Sequence, residues 1–64
     1  MTEAGARMLT ARELAERWQC SQGHLANLRC HGRGPTFLKI GDMVRYLLSD
    51  IENYEAACTV SAVA

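Results

Sequence analysis

The stretch 9–28, LTARELAERWQCSQGHLANL, constrains the fold most strongly because it carries two helix starts in close succession. Thr10 is followed three positions later by Glu13, which is the capping-box signature of a helix N-terminus. Leu9 precedes this cap, where a hydrophobic staple residue is expected. Ser21 belongs to the residue types that are favoured at N-caps, and it marks the second start. The stretch therefore predicts two short helices joined by a turn.

Apolar residues recur at helical spacing in both predicted helices. Leu14 and Trp18 share one side of the first helix, which we expect at Ala11–Trp18. Leu25 lies on the buried side of the second helix, which we expect at 22–31. Two helices at this separation are typical of a helix-turn-helix, whose second helix enters the major groove of DNA.

The exposed side of the second predicted helix is small and neutral at its centre, at Gly23 and Ala26. Glycine costs about 1 kcal/mol of helix propensity relative to alanine, so it is unusual on a helix that faces only water. A helix that lies against DNA benefits from small residues, and Asn and Gln side chains match adenine in the major groove. We therefore predict that Gln22, His24 and Asn27 reach base edges, although ordinary polar surface residues would give the same pattern.

A hairpin is predicted after the second helix, which Gly32 and Pro35 end. Two β-prone runs, 36–40 and 43–46, flank a two-residue turn that opens with Gly41, and glycine there suits a type II′ turn. The alternation of apolar residues leaves open which face of the hairpin is buried. Because a two-stranded ribbon is not stable alone in water, we expect it to pack on the helices as the wing of a winged helix-turn-helix.

The remaining segments complete the predicted architecture. The sequence Ser49-Asp50-Ile51-Glu52 repeats the capping-box pattern and predicts a third helix at 50–58. The expected fold class is mostly α with a small β-hairpin. The expected organisation is a flexible N-terminus at 1–8, a DNA-binding domain at 9–58 and an apolar tail at 59–64. This tail is either disordered or a contact for a neighbouring subunit or a recombination partner.

Charge is segregated along the chain, although the formal net charge is zero. Residues 21–45 carry four basic residues against one acidic residue, Asp42, whereas the rest carries three against six. The four are Arg29, Arg33, Lys39 and Arg45. A local basic face can bind phosphates, while a net charge of zero keeps the non-specific affinity for DNA low.

Two further expectations concern the charges of the first helix. Arg12 lies in its first turn, where a cation opposes the helix dipole, and a nearby phosphate would explain it. Glu13 and Arg17 have the spacing of a favourable i,i+4 ion pair on the solvated side.

Other chemistry finds little support in the sequence. A chain of 64 residues has no room for a substrate-sized cleft walled by several layers, so we do not expect an enzyme. Cys20, His24, Cys30 and His31 lack the paired spacing of zinc ligands, so we expect neither a metal nor a cofactor. Cys20 and Trp18 are instead expected to pack in the core. We expect a cytoplasmic protein for three reasons. The number of cysteines is odd, the sequence shows no apolar leader, and no segment is long and apolar enough to span a membrane.

The order of these motifs resembles the excisionase-type and AlpA-like small helix-turn-helix proteins, distant relatives of the MerR DNA-binding domain. The matching landmarks within 9–54 are Leu9-Thr10 with Ala15, Ser21 with Leu25 and Leu28, Gly34-Pro35, Lys39-Ile40-Gly41, Val44-Arg45-Tyr46 and Ser49-Asp50-Ile51. The resemblance implies that the second helix occupies the major groove and the wing an adjacent minor groove. It also implies DNA-recognition roles for Ser21, Gln22, Asn27, Lys39 and Arg45. The sequence departs from the family at Ala26 and Asn27, where Arg and aromatic residues are usual, and at the acidic Asp42 of the wing tip.

The resemblance also implies a function. Members of the family include phage recombination directionality factors, which bind near an attachment site, bend DNA and favour excision by an integrase, and prophage-type transcriptional regulators. Double-stranded DNA, an integrase and further copies of the chain are thus the implied partners, with no membrane. A protein-interaction module without DNA binding stays open because the net charge is zero. The predicted DNA-binding residues are Arg12, Ser21, Gln22, His24, Asn27, Arg29, Arg33, Lys39 and Arg45.

Overall fold

A computed structural model describes residues 7–60 as a small α/β domain with three helices and a three-stranded antiparallel sheet. The elements in chain order are β1 (Met8–Thr10), α1 (Ala11–Trp18), α2 (Gln22–Cys30), β2 (Phe37–Ile40), β3 (Met43–Leu47) and α3 (Leu48–Cys58). The strand order is β1-β3-β2, so the last strand of the chain lies at the centre of the sheet.

Helix α1 has the predicted bounds because its capping box forms in full. The Thr10 hydroxyl accepts a hydrogen bond from the backbone N–H of Glu13 at 3.0 Å, and the Glu13 carboxylate accepts one from the backbone N–H of Thr10 at 2.8 Å. The predicted ion pair between Glu13 and Arg17 is wrong. Glu13 is engaged by the cap, and Arg17 reaches across to Glu55 on α3.

The turn between α1 and α2 passes through a left-handed residue that the sequence did not reveal. Gln19 has φ 56° and ψ 47°, and it ends α1. Its backbone N–H donates to the Glu16 carbonyl at 3.2 Å, and that of Cys20 donates to the Ala15 carbonyl at 2.9 Å, as in a Schellman motif. Cys20 is half-buried against the core, as predicted. This turn therefore sets the direction in which α2 leaves α1.

Both ends of α2 are capped as predicted, although the helix ends at Cys30, one residue earlier than expected. The Ser21 hydroxyl accepts from the backbone N–H of His24 at 3.0 Å. Gly32 has φ 67°, and its N–H donates to the Arg29 carbonyl at 3.1 Å. Glycine is favoured there because residues with a side chain rarely adopt a positive φ.

The predicted hairpin forms, but as part of a larger sheet. Gly41 has φ 62° while Asp42 keeps a negative φ, which fits the predicted type II′ turn rather than type I′. β1 pairs with β3 in the register Leu9↔Tyr46 and adds a third strand. The expectation of a two-stranded wing was therefore incomplete, since a strand of three residues is too short to give an alternating pattern. Met8, expected in the flexible N-terminus, belongs to this strand.

Helix α3 begins earlier than predicted, and the capping box proposed at Ser49 is wrong. The N-cap is Leu47, which makes no side-chain capping bond, and Ser49 already lies in the first turn. The physical reason is that β3 runs directly into α3. The backbone N–H of Leu48 donates to the Arg7 carbonyl at 2.7 Å, so the chain that precedes β1 satisfies one of the free amides of the helix.

The core lies between the helices and one face of the sheet. Its buried members are Leu9, Leu14, Ala15, Leu25, Tyr46 and Ile51. Because alternate residues of a strand point to opposite faces, Phe37 and Lys39 share the helix-covered face with Tyr46 and Val44. This register decides the hairpin orientation that the sequence left open.

Residues near the two ends of the described range add little to this core. Thr59 forms the C-cap of α3, and Val60 is 87% exposed. Most of the predicted tail, 61–64, and most of the predicted N-terminus, 1–6, lie outside the described residues. Within residues 7–60, no helix has the length and apolar character needed to cross a membrane.

Candidate nucleic-acid interface

The outward side of α2 is polar, small and accessible. Gln22, Gly23, Ala26 and Asn27 are all exposed, whereas Leu25 on the opposite side is 1% exposed. The side-chain amides of Gln22 and Asn27 bond to no other described residue, so their donors and acceptors are available. This side of α2 therefore presents amide groups around a flat centre.

Gly23 is not required by the fold. It is not among the glycines with positive φ, and an added Cβ would meet only the Ser21 hydroxyl oxygen at 3.8 Å, an ordinary contact distance. Glycine lowers the stability of the helix, and the fold does not need it here because it tolerates a side chain at this position. The missing side chain thus leaves space in front of α2 that the protein itself does not use.

Ser21 and His24 lie at the first turn of α2 but face different surroundings. Both residues are exposed, and the Ser21 oxygen is engaged as the cap acceptor while its hydroxyl hydrogen stays available as a donor. His24 borders an open cavity of about 450 Å³ between α2 and α3. The cavity is lined by Trp18, His24, Leu28, Tyr54, Glu55, Cys58 and Thr59. His24 is thus placed at the edge of the α2 surface rather than at its centre.

Arg29 is held between α2 and the sheet. Its Nη1 donates to the phenolic oxygen of Tyr46 at 2.7 Å, and its guanidinium carbon lies 5.8 Å from the centroid of the Phe37 ring. Tyr46 is 1% exposed, so this bond forms at the margin of the core. Arg29 therefore links α2 to β2 and β3, and only part of its guanidinium is left for a phosphate. This role could not be predicted from the sequence because the partners lie 8 and 17 positions further along the chain.

Lys39 and Arg33 are exposed cations on the helix side of the molecule. Arg33 follows the glycine that ends α2, and Lys39 stands opposite Val44 on the helix-covered face of the hairpin. Neither forms an ion pair with a carboxylate of residues 7–60. These two side chains are the basic groups most free to meet a polyanion beside α2.

Arg45 and Arg12 do not join this group. Arg45 stands opposite Leu38 and Thr10, on the sheet face that points away from the helices. Its Nη1 donates to the Val44 carbonyl at 2.8 Å. Arg12 lies on α1, where its Nε is 3.8 Å from a Glu16 carboxylate oxygen and both side chains are largely exposed.

A polar clamp that the sequence did not reveal joins the end of α1 to α3. Arg17 donates from Nε and Nη2 to the two carboxylate oxygens of Glu55 at 2.7 and 2.8 Å, and Trp18 Nε1 donates to the same carboxylate at 2.6 Å. The hydrogen bonds from Arg17, and then from Trp18, lower the pKa of Glu55 to about 2. The bond to Glu55 in turn raises the pKa of Arg17.

The clamp also fixes the environment of Trp18. Its ring packs against the core and lies 5.7 Å from the Tyr54 ring, centroid to centroid. The prediction that Trp18 is a packing residue is therefore confirmed. Its partner Glu55 stands 37 positions away, and no local pattern could have identified it.

Among residues 7–60, no group of three or more His, Cys, Asp or Glu residues could hold a metal ion. Cys20, Cys30 and Cys58 are free thiols.

No family model matches the chain, no curated protein matches it, and no solved structure matches it. The proposed function therefore rests on the geometry of the chain and on the order of its sequence motifs.

Proposed function

We propose that this chain is a winged helix-turn-helix protein that binds double-stranded DNA, with α2 in the major groove and the β2–β3 hairpin as the wing. The observation that carries the proposal is the exposed side of α2. It combines free amides at Gln22 and Asn27 with a glycine that the fold does not need. Amide side chains can bond the adenine edge bidentately, and a flat helix surface permits the close approach that this requires.

The phosphate contacts expected for this orientation are few. Arg33 and Lys39 are exposed on the helix side and unpaired within the described range, whereas Arg29 is engaged with Tyr46. Each neutralised phosphate contributes about −0.9 to the slope of log affinity against log salt concentration. Two contacts therefore give a slope of about −2, and one copy should bind DNA weakly.

We further propose that the protein acts as an architectural factor of the excisionase type, near an attachment site and with an integrase as partner. The resemblance of the motif order over 9–54 supports this assignment. A circular-permutation gel shift tests it, because an architectural factor bends its site. Binding without a bend would favour the second candidate, a small transcriptional regulator that uses the same surface.

The experiment that tests DNA binding compares two matched substitutions. A binding site is first selected from a pool of randomised duplexes, and affinity is then measured by fluorescence anisotropy over a range of salt concentrations. Gly23→Leu fills the space in front of α2, and we expect it to weaken DNA binding by about tenfold or more while thermal stability is kept or raised. Ala57→Leu, at an exposed position of α3, is the control and should leave affinity unchanged.

Two further variants separate recognition from phosphate binding. Asn27→Ala should relax sequence preference, whereas Lys39→Ala should weaken binding to all sequences equally and make the salt slope less steep by about one. DNA binding by Gly23→Leu at wild-type strength would contradict the placement of α2. The absence of any salt-dependent binding to a selected duplex would refute the proposed function and leave an interaction module as the alternative.

A further inference from the structure

The sheet has one covered face and one uncovered face. Strand alternation places a set of residues on the face opposite the helices, which we call the outer sheet face. Its members are Met8, Thr10, Leu38, Ile40, Met43, Arg45 and Leu47. No described helix packs against this face, since the buried strand residues Leu9 and Tyr46 alternate with it on the other side.

The outer sheet face concentrates the exposed apolar surface of the domain. Met8, Leu38, Ile40 and Met43 are 40–49% exposed, and they make up four of the six large exposed hydrophobic residues in the described range. Single exposed apolar residues are ordinary on a protein surface, but a contiguous group on one face marks a contact surface.

Two opposite charges flank this apolar group on the same hairpin. The Arg45 guanidinium bonds only to neutral partners, the Val44 carbonyl and the Met43 sulfur, and it forms no ion pair with a carboxylate of residues 7–60. Asp42 is exposed in the turn and likewise has no cationic partner in that range. Arg45 and Asp42 are three positions apart, with Arg45 on β3 and Asp42 in the turn that precedes this strand.

We propose that a second copy of this chain docks on the outer sheet face. A two-fold axis that lies between the two sheets, crosses the strands and passes near residues 43–44 reverses the direction of β3 in the second copy. It therefore places Arg45 of each copy over the hairpin turn that carries Asp42 of the other, and the two contacts are equivalent, as a two-fold interface requires. Leu38, Ile40 and Met43 then pack against their counterparts across the axis.

Charge complementarity favours this occupant over a nucleic acid. DNA could use only Arg45, and its phosphates would leave the surrounding apolar side chains facing charge rather than covering them. A second copy covers the apolar residues and supplies a carboxylate for each guanidinium. The proposal rests on the sheet alone and does not depend on DNA binding by α2.

The expected dimer is weak because the face is small. Three short strands offer a contact below the roughly 1,200 Å² of total buried area that stable complexes require. We expect a dissociation constant of the order of 100 μM, so the wild-type chain should pass from monomer to dimer between about 10 μM and about 1 mM.

Sedimentation equilibrium without DNA over that concentration range tests the proposal by charge reversal. Arg45→Glu and Asp42→Arg, each made alone, place like charges together and should weaken the dimer by about tenfold or more. The double variant exchanges the two charges and should restore dimerisation to within about threefold of the wild type. Val60→Ser, at an exposed apolar residue outside the face, is the control. Circular dichroism establishes that each variant is folded.

Two results would overturn the proposal. One is a wild-type chain that stays monomeric at about 1 mM. The other is a double variant that fails to recover while both single variants remain folded. A monomeric wild type whose Arg45→Glu variant loses salt-dependent DNA binding would instead show that the outer sheet face contacts nucleic acid. Since dimerisation is measured without DNA, failure here is separate from failure of the proposed function.

Discussion

Replacing Glu55 with glutamine tests whether the clamp between α1 and α3 stabilises the domain. Glu55 accepts two hydrogen bonds from Arg17 and one from Trp18, all between 2.6 and 2.8 Å. Hydrogen bonds to charged groups contribute about 1.5–3 kcal/mol when buried, but the two side chains of this ion pair are 39% and 32% exposed, so solvent screening reduces the effect. Glutamine keeps one acceptor oxygen. We expect Glu55→Gln to lower the free energy of unfolding by about 1.5 kcal/mol.

This loss is measurable as a shift in the melting temperature. In a domain of this size, about 1 kcal/mol corresponds to about 4–8 °C, so Glu55→Gln should melt about 6–12 °C below the wild type at pH 7. Circular dichroism and Trp18 fluorescence are suitable probes. Glu16→Gln is the matched control, because its carboxylate is 70% exposed, lies 3.8 Å from Arg12 and should contribute less than about 0.5 kcal/mol.

The difference between wild type and Glu55→Gln should also depend on pH. The pKa of Glu55 is about 2 in the folded chain against an ordinary value of 4.5, so between these values the unfolded chain binds more protons than the folded chain. The stabilisation is therefore complete above pH 4.5 and is lost as the pH falls toward 2. A melting temperature within about 2 °C of Glu16→Gln at pH 7, or a gap from wild type that stays constant down to pH 2, would refute this account.

Three further experiments test local features of the fold. Gln19→Gly should raise the free energy of unfolding by about 0.5–1 kcal/mol in thermal melts. A residue with a side chain costs about 1–2 kcal/mol in the left-handed conformation, and the greater entropy of the unfolded glycine variant offsets part of this gain. A less stable variant would contradict the strain at Gln19. A double-mutant cycle of Arg29→Met and Tyr46→Phe should give a coupling of about 1 kcal/mol in unfolding, whereas additive effects would mean that their hydrogen bond contributes nothing. Ser21→Ala should cost about 1 kcal/mol in the same melts and Ser49→Ala less than about 0.5 kcal/mol, since only Ser21 caps a helix; equal losses would argue against this assignment.

Local patterns in the sequence were enough to predict much of the secondary structure. The capping box at Thr10 and the cap at Ser21 gave the starts of α1 and α2 because these bonds join residues three positions apart. Gly41 predicted the hairpin because a two-residue turn is likewise a local feature of the sequence. The pattern failed at Ser49, where an equally good local signal was overridden by the pairing of β1 with β3.

Long-range contacts could not be predicted in this way. Glu55 meets Arg17 across 38 positions, and Tyr46 meets Arg29 across 17, so no window of helical or strand period contains both partners. The consequence for the candidate site is direct. Arg29, Lys39 and Arg45 belong to one basic segment of the sequence, but they lie respectively against Tyr46, on the helix side and on the outer sheet face.

This separation of the basic residues determines how the two proposals would act together. Among residues 7–60 of one copy, Arg33 and Lys39 are the unpaired cations that we place beside α2, which gives a salt slope of about −2. Two copies joined through their outer sheet faces leave both α2 surfaces uncovered, because the helices lie on the other side of each sheet. A DNA-bound dimer should therefore show a slope of about −4, and Arg45→Glu should return it to about −2 without changing sequence preference. An Arg45→Glu slope equal to that of the wild type, on a duplex with two selected sites, would mean that the copies bind independently.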